Sequence, residues 1–282
     1  MDLNVDVVRR VVRAALDEDL GTRGDLTSDS VVAADTLASG HFVARQKLVL
    51  AGGPIAREVF RTLDPGLGFE SVQGDGDEVP AGTCVAQVGG LARPILRGER
   101  TALNFLMRMS GIATAARAAV DEIAGTGARI LDTRKTAPGL RDLDKYAVAA
   151  GGAVNHRRGL YDEVMIKDTH LRATSSITDA VKRARAQGHA SAIITVEVSV
   201  LAELREAIAA GAGRVLLDNM DPDMMAEAVR VAGGRVVLEA SGGLRPGNLR
   251  RVAETGVDFL SLGWLTHSAP SADLAMELET QS

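Results

Sequence analysis

Arg134 and Lys135, then His156, Arg157 and Arg158, then Lys167 crowd cationic side chains into one stretch of a chain whose formal net charge is -5. Local cations on an acidic protein suit a small polyanion held in a pocket, not a long nucleic-acid backbone. Arginine grips a planar carboxylate through two parallel hydrogen bonds, which lysine does not match. A substrate pair carrying both carboxylates and phosphates would use the whole set. Two acids stand out beside them. Glu197 is the only charged residue between Ile193 and Val198, and Asp218 ends the run at 214–218. Facing carboxylates of this kind could share Mg²⁺ with substrate oxygens or stabilise developing positive charge.

A third group consists of glycines. Ser241-Gly242-Gly243 follows the apolar run 236–240 and precedes a predicted helix from 246, and Gly263 repeats the arrangement after 258–262. Glycine lets backbone approach a phosphate closely, and a helix N-terminus adds N–H donors and partial positive charge. Tight turns explain either glycine cluster alone; two in adjacent strands favour a phosphate.

These residues share one kind of place. Apolar runs at 128–132, 163–167, 192–198, 214–218, 235–240 and 257–262 alternate with helix-like segments at 176–187, 201–210, 223–232 and 246–255. Near-continuous apolar strands separated by helices mean parallel strands buried on both faces. So many repeats fit a closed or nearly closed barrel, with a doubly wound sheet as the alternative. No Gly-x-Gly-x-x-Gly follows any strand, which counts against a dinucleotide fold. Barrels of this kind build their sites at the C-terminal ends of the strands. Any one polar strand end reads as a solvated terminus more often than as a ligand contact; six in register point to a site.

The N-terminal part has another texture. Val5, Val8, Val12 and Ala15 predict an amphipathic helix, 17–28 reads as a loop rich in Gly, Asp and Ser, and 39–88 reads as a small mixed sheet. Leu106, Met109, Ala113, Ala116, Val120 and Ile123 predict a long helix stopped at Gly125. The domain boundary is placed near this helix: 1–106, a catalytic domain at 107–268, and a tail at 269–282 that packs back on the first domain.

Composition excludes several classes. Aromatics make up 3%, too few for a base-stacking surface, and a single cysteine, Cys84, rules out an internal disulfide framework. Cys84 is expected to be a small buried hydrophobe. The N-terminus lacks signal-peptide character and no apolar run approaches the roughly 20 residues a bilayer needs. The expectation is a soluble cytoplasmic enzyme that joins or splits a carboxylated and a phosphorylated small molecule with Mg²⁺.

At these residues the sequence resembles the quinolinate phosphoribosyltransferases over nearly its full length. The resemblance is carried by Glu18-Asp-Leu-Gly21, Gly24-Asp-Leu-Thr-Ser28, Glu99-Arg-Thr-Ala-Leu-Asn104 and Ser110-Gly-Ile-Ala-Thr114. More specific are Asp132-Thr-Arg-Lys-Thr-Ala-Pro-Gly-Leu-Arg141, Lys145-Tyr-Ala-Val148, Asn155-His-Arg157 and Ile166-Lys-Asp168. Val196-Glu-Val198, Leu217-Asp-Asn219, Glu239-Ala-Ser-Gly-Gly243 and Thr255-Gly-Val-Asp258 follow in the family's order. Met107, Ala153, Thr169 and Trp264 depart from its usual pattern.

The resemblance implies an N-terminal α/β sandwich and an incomplete parallel α/β barrel of the type II phosphoribosyltransferase kind, in a homodimer whose sites straddle the interface. It implies decarboxylating transfer of phosphoribose from 5-phosphoribosyl-1-pyrophosphate to quinolinate, giving nicotinate mononucleotide, pyrophosphate and CO₂ for NAD biosynthesis. Arg134, His156, Arg157 and Lys167 would hold quinolinate, with Arg100 reaching in from the partner subunit. Lys135, Glu197 and Asp218 would contact phosphoribosyl pyrophosphate and its Mg²⁺ and form the catalytic set. Ser241, Gly242, Gly243 and Gly263 would bind the 5-phosphate. Two other readings compete: a relative acting on another carboxylated heterocycle, and a silent paralogue, against which Lys135, Glu197 and Asp218 all argue.

Overall fold

The computed structural model describes residues 3–187 and 193–280. The chain divides into two compact units: Met1–Arg117 with Thr136–Gly152 and Leu265–Ser282, and Ala118–Lys135 with Ala153–Trp264.

The first unit opens with a helix at Val5–Leu20, started by the Asn4 side chain, which accepts the Asp6 and Val7 N–H groups. Its buried stripe is Val8, Val12 and Leu16, while Val5 is exposed. The helical period was legible, but the stripe lies one residue round from the expected one. The expected loop at 17–28 is largely helical. Residues 17–20 complete the first helix, and Asp25 accepts the Thr27 and Ser28 N–H groups to start another at Leu26–Val31. Asp before an apolar residue was a cap as well as a turn former.

Five strands come next: β1 (Leu37–Ala44), β2 (Leu48–Val49), β3 (Gly68–Ser71), β4 (Glu78–Val79) and β5 (Cys84–Leu91). β1 pairs with β5 and β3 with β5, and β2 pairs with β4, all antiparallel. The strands therefore form two antiparallel sheets, where one small mixed sheet was expected. Between β2 and β3 lies a helix at Gly53–Leu63 that the sequence reading missed, because Pro54 read as a break; at the first turn of a helix, proline's fixed φ is favourable instead. This helix and the sheet meet through aromatic rings. Phe42 of β1 meets Phe60 edge-on at 5.9 Å, and Phe60 stacks on Phe69 of β3 at 5.8 Å. Cys84 is half-buried at the start of β5. The long helix runs over Ala92–Glu122, starting earlier than its apolar stripe suggested. A further helix, Arg141–Ala150, belongs to the same unit.

The second unit holds six parallel strands: β6 (Arg129–Leu131), β7 (Val164–Ile166), β8 (Ile194–Val198), β9 (Arg214–Asp218), β10 (Val237–Ser241) and β11 (Phe259–Ser261). Ala192, expected to open the third of these, lies outside the described residues. Their order is β6-β11-β10-β9-β8-β7. First and last strands in sequence are neighbours and the rest follow in turn, which is ring connectivity. A doubly wound sheet would reverse direction from its first strand. The ring is open between β6 and β7, where a single bridge, Leu131 with Val154, stands in for a strand pair. An incomplete α/β barrel is the result.

Helices at Ile177–Ala186, Leu201–Ala210 and Pro222–Ala232 connect the strands as the periodicity predicted. The segment expected to be helical over 246–255 is helical only at Leu249–Ala253. Pro246 and Gly247 sit in a turn, closed by Arg245 N–H donating to Asn248 Oδ1 at 2.9 Å. A last strand, β12 (Leu274–Thr280), belongs to the first unit and pairs antiparallel with β1, giving the order β12-β1-β5-β3. Among the described residues, no helix is long and apolar enough to cross a membrane.

Candidate active site

Side chains alternate faces along a strand, so residues two apart share a side. In β9 this groups Arg214, Leu216 and Asp218. The register then aligns Glu197, Leu216, Glu239 and Phe259 across β8–β11, and Asp218 with Ser241 one pleat nearer the C-terminal ends. A cavity of about 510 Å³ opens on this set. It is lined by Thr133, Arg134, Lys135, His156, Arg157, Met165, Lys167, Glu197, Leu216, Asp218, Glu239, Ser241 and Ser261. Seven of the expected cations and carboxylates (Arg134, Lys135, His156, Arg157, Lys167, Glu197 and Asp218) thus meet in one place, with Ser241 beside them.

At the mouth, Lys167 Nζ sits 3.1 Å from Glu197 Oε2, with the lysine side chain 42% exposed and the glutamate 14%. Glu197 and Asp218 offer oxygens of the hard kind that could hold Mg²⁺. Among the described residues, no three His, Cys, Asp or Glu side chains gather into a metal cage. Asp218 also accepts the Asn219 Nδ2 at 3.0 Å.

Asn219 takes a left-handed backbone, φ 53°, and its N–H donates to the Ser241 carbonyl at 2.9 Å. This turn presses on the glycine pair. A Cβ on Gly242, φ 90°, would lie 2.2 Å from Asn219 Oδ1, whereas at Gly243, φ 65°, it would meet open space. Gly242 is needed both for its conformation and for the approach of Asn219. With Leu249 the first helical residue, the cradle here is built from glycine backbone and not from a helix end directly after it. Gly263 follows β11 and precedes the short helix Trp264–His267. It is not among the residues lining the cavity. Arg100 lies exposed on the helix Ala92–Glu122, in the first unit.

Beneath the mouth, His156 and Arg157 rest on a buried set that the sequence reading gave no role. His156 Nε2 is 3.1 Å from Glu239 Oε2, with the two side chains 5% and 1% exposed. Arg214 Nη1 lies 3.5 Å from Glu239 Oε2 and 3.6 Å from Glu163 Oε2. Ser261 donates a short hydrogen bond to Glu239, and Thr195 donates one to Glu163. Burial alone would raise the Glu239 carboxyl. The His156 hydrogen bond, with Ser261 and Arg214, outweighs it and holds the carboxyl below its ordinary range. Arg157 donates to the Glu163 carbonyl at 3.1 Å and contacts Met165 Sδ at 3.5 Å. Its guanidinium pKa is lowered, first by burial and then by the neighbouring Arg134 charge. Asp132, fully buried, accepts the His156 N–H at 2.7 Å and Asn155 Nδ2 at 2.9 Å.

A larger cavity, about 620 Å³, belongs to the first unit and is lined by Arg10, Glu18, Asn104, Phe105 and Arg108 among others. Arg108 there is spent on a bidentate pair with buried Asp144, at 3.0 and 2.8 Å. The barrel cavity instead concentrates cations and carboxylates at strand ends, with Ser241 ahead of the glycine pair, the constellation of a barrel enzyme for small polyanions.

Comparison with known proteins narrows that class. Residues 25–110 match the N-terminal domain, and 112–277 the C-terminal domain, of quinolinate phosphoribosyl transferase. A Bacillus subtilis protein described as a probable nicotinate-nucleotide pyrophosphorylase (carboxylating) is 44% identical over 93% of this chain and 90% of its own length. The solved nicotinate-nucleotide pyrophosphorylase of Francisella tularensis superposes with a TM-score of 0.95 at 38% identity, covering 99% of this chain and 98% of that one. The NadC structure from Streptococcus pyogenes gives 0.96 at 35% identity over the whole of both chains. The chain belongs to the quinolinate phosphoribosyltransferase family.

Proposed function

We propose that the protein is a decarboxylating quinolinate phosphoribosyltransferase of NAD biosynthesis, acting with Mg²⁺ on 5-phosphoribosyl-1-pyrophosphate. One observation carries this reading. A single cavity joins a cationic end (Arg134, His156, Arg157 and Lys167) to an end with Lys135, two carboxylates and Ser241 before Gly242 and Gly243. The first end suits a planar dicarboxylate, and the second a phosphorylated sugar bearing a diphosphate.

Arg134 and Arg157, with His156 and Lys167, hold the two carboxylates so that the pyridine nitrogen faces the anomeric carbon. As the nitrogen bonds to that carbon, the bond to pyrophosphate breaks and its electron pair leaves with the pyrophosphate. Glu197 and Asp218 stabilise the oxocarbenium-like charge that develops on the sugar. Lys135 offsets negative charge on the departing group. Glu197 and Asp218 would hold Mg²⁺, which when bound would supply further neutralisation of that charge. With the ring nitrogen quaternised, the bond to the adjacent carboxylate breaks, CO₂ leaves, and the electron pair left on carbon beside N⁺ takes a proton from solvent. Ser241, Gly242, Gly243 and Gly263 anchor the 5-phosphate. Arg100, exposed on its helix, completes the site of a partner subunit in a cytoplasmic homodimer.

The test is a discontinuous assay with phosphoribosyl pyrophosphate and Mg²⁺, offering quinolinate and nicotinate separately and quantifying nucleotide and CO₂. Nicotinate mononucleotide with equimolar CO₂ from quinolinate alone is the expected result. No turnover of either by folded protein would move the reading to another carboxylated heterocycle or to a binding role.

A further inference from the structure

We propose that Arg214 and Glu239, with Glu163 and Ser261, form a buried ionic frame that positions His156 and Arg157 and so sets the enzyme's grip on quinolinate. This rests on the function proposed above and assigns roles to residues in and beneath the floor of the substrate cavity.

Arg214 starts β9 and pairs in register with Thr195 of β8, so both side chains share the inner face with Leu216 and Asp218. Its Nη1 is the common neighbour of three groups: Glu239 at 3.5 Å, Glu163 at 3.6 Å and His156 Nε2 at 3.4 Å. The guanidinium also lies over the Phe259 ring, 5.4 Å from its centroid. One cation therefore holds two buried carboxylates close together, an arrangement that repels itself without it.

Each glutamate then fixes one half of the pair above, Glu239 through its carboxylate and Glu163 through its backbone carbonyl. Glu239, anchored on its other oxygen by Ser261, faces His156 Nε2 at 3.1 Å. Glu163, anchored by Thr195, brings its own backbone carbonyl to Arg157 Nη1 at 3.1 Å. The two halves are joined, because Arg157 N–H donates to His156 Nδ1 at 2.6 Å. An accepting Nδ1 puts the ring proton on Nε2, aimed at Glu239. Groups that bind a rigid planar ligand must themselves be held, and a neutral replacement for Arg214 would leave His156 and Arg157 on a floor of unbalanced carboxylates.

The experiment compares Arg214→Met and Arg214→Lys with the native enzyme. The KM for quinolinate and that for phosphoribosyl pyrophosphate are measured separately, with melting temperature alongside. Arg214→Met should raise the quinolinate KM about tenfold, equivalent to about 1.4 kcal/mol, and leave the phosphoribosyl pyrophosphate KM within about twofold. Arg214→Lys, which keeps the charge, should recover part of the loss. Equal changes in both constants, or no change in either, would overturn the assignment. Should Arg214→Met fail to fold, Ser261→Ala loosens one anchor of Glu239 and should show the same one-sided change, more weakly.

A second readout needs no turnover. The imidazole ¹⁵N spectrum of the native protein should show His156 with its proton on Nε2, and finding it on Nδ1 instead would sink the frame. If the native enzyme releases no CO₂ from quinolinate, the proposed function falls, while this spectrum still judges the frame.

Discussion

The rim and the floor of the barrel cavity use the same residue types to opposite ends. On the floor, Arg214, Glu163 and Glu239 have side chains 14%, 9% and 1% exposed and are matched to one another and to His156. At the rim, Lys167 is 42% exposed, Lys135 is exposed, and Arg134 and Asp218 are half-buried. Charges that cannot reach water must be balanced by the protein, and charges that can are available to a ligand. On the proposed function, the contrast separates residues that hold the site together from residues that would hold substrate.

Glu239→Ala gives the contrast its harshest trial. It leaves Arg214 with Glu163 as its one carboxylate and removes the His156 partner, so it should destabilise the fold by about 3–5 kcal/mol, as breaking buried pairs does; denaturant melts measure this. Arg134→Ala, at the rim, should leave the melt nearly unchanged and weaken quinolinate binding by about 2–4 kcal/mol through loss of a charge-assisted contact. Isothermal titration finding native affinity would remove Arg134 from the ligand set. If instead the two variants lost stability equally, rim and floor would not be distinct.

Smaller effects sharpen the same line. Gly242→Ala should weaken phosphoribosyl pyrophosphate binding more than Gly243→Ala. The first meets Asn219 as well as a φ of 90°, and the second meets only the left-handed φ, a strain of about 1–2 kcal/mol. Parallel KM measurements on the pair decide it. The smallest effect concerns acid. Because the folded Glu239 carboxyl titrates below its ordinary value near 4.5, its stabilisation is full above that value and is lost as pH falls through the lowered one. Glu239→Gln should therefore flatten the acid limb of melting temperature against pH, leaving an unchanged slope above about pH 6.

This division also marks what the sequence could disclose. Lys135, Lys167, Glu197 and Asp218 were legible because each interrupts or ends an apolar run, and strand ends of a parallel barrel point to one rim. Glu163 and Arg214 stand at the beginnings of such runs, where a charge looks like ordinary flanking polarity. Only the inward-facing register makes them partners. Glu239 lies inside a run, where its motif alone assigns it no role; its partner His156 is far away in sequence. In the first unit the aromatic contacts among Phe42, Phe60 and Phe69 join distant segments that no local pattern links.

The pairing of β12 with β1 has a consequence for synthesis. Ala38 lies opposite Thr280 and Ala44 opposite Leu274, so the sheet that begins with the earliest strand is completed by the last. The parallel strands, by contrast, all lie between Arg129 and Ser261. A chain emerging from the ribosome can pair these parallel strands while β1 still presents an unpaired edge. During that interval the early segment is the part most in need of a chaperone, and truncation before residue 274 should show itself first as aggregation through that edge.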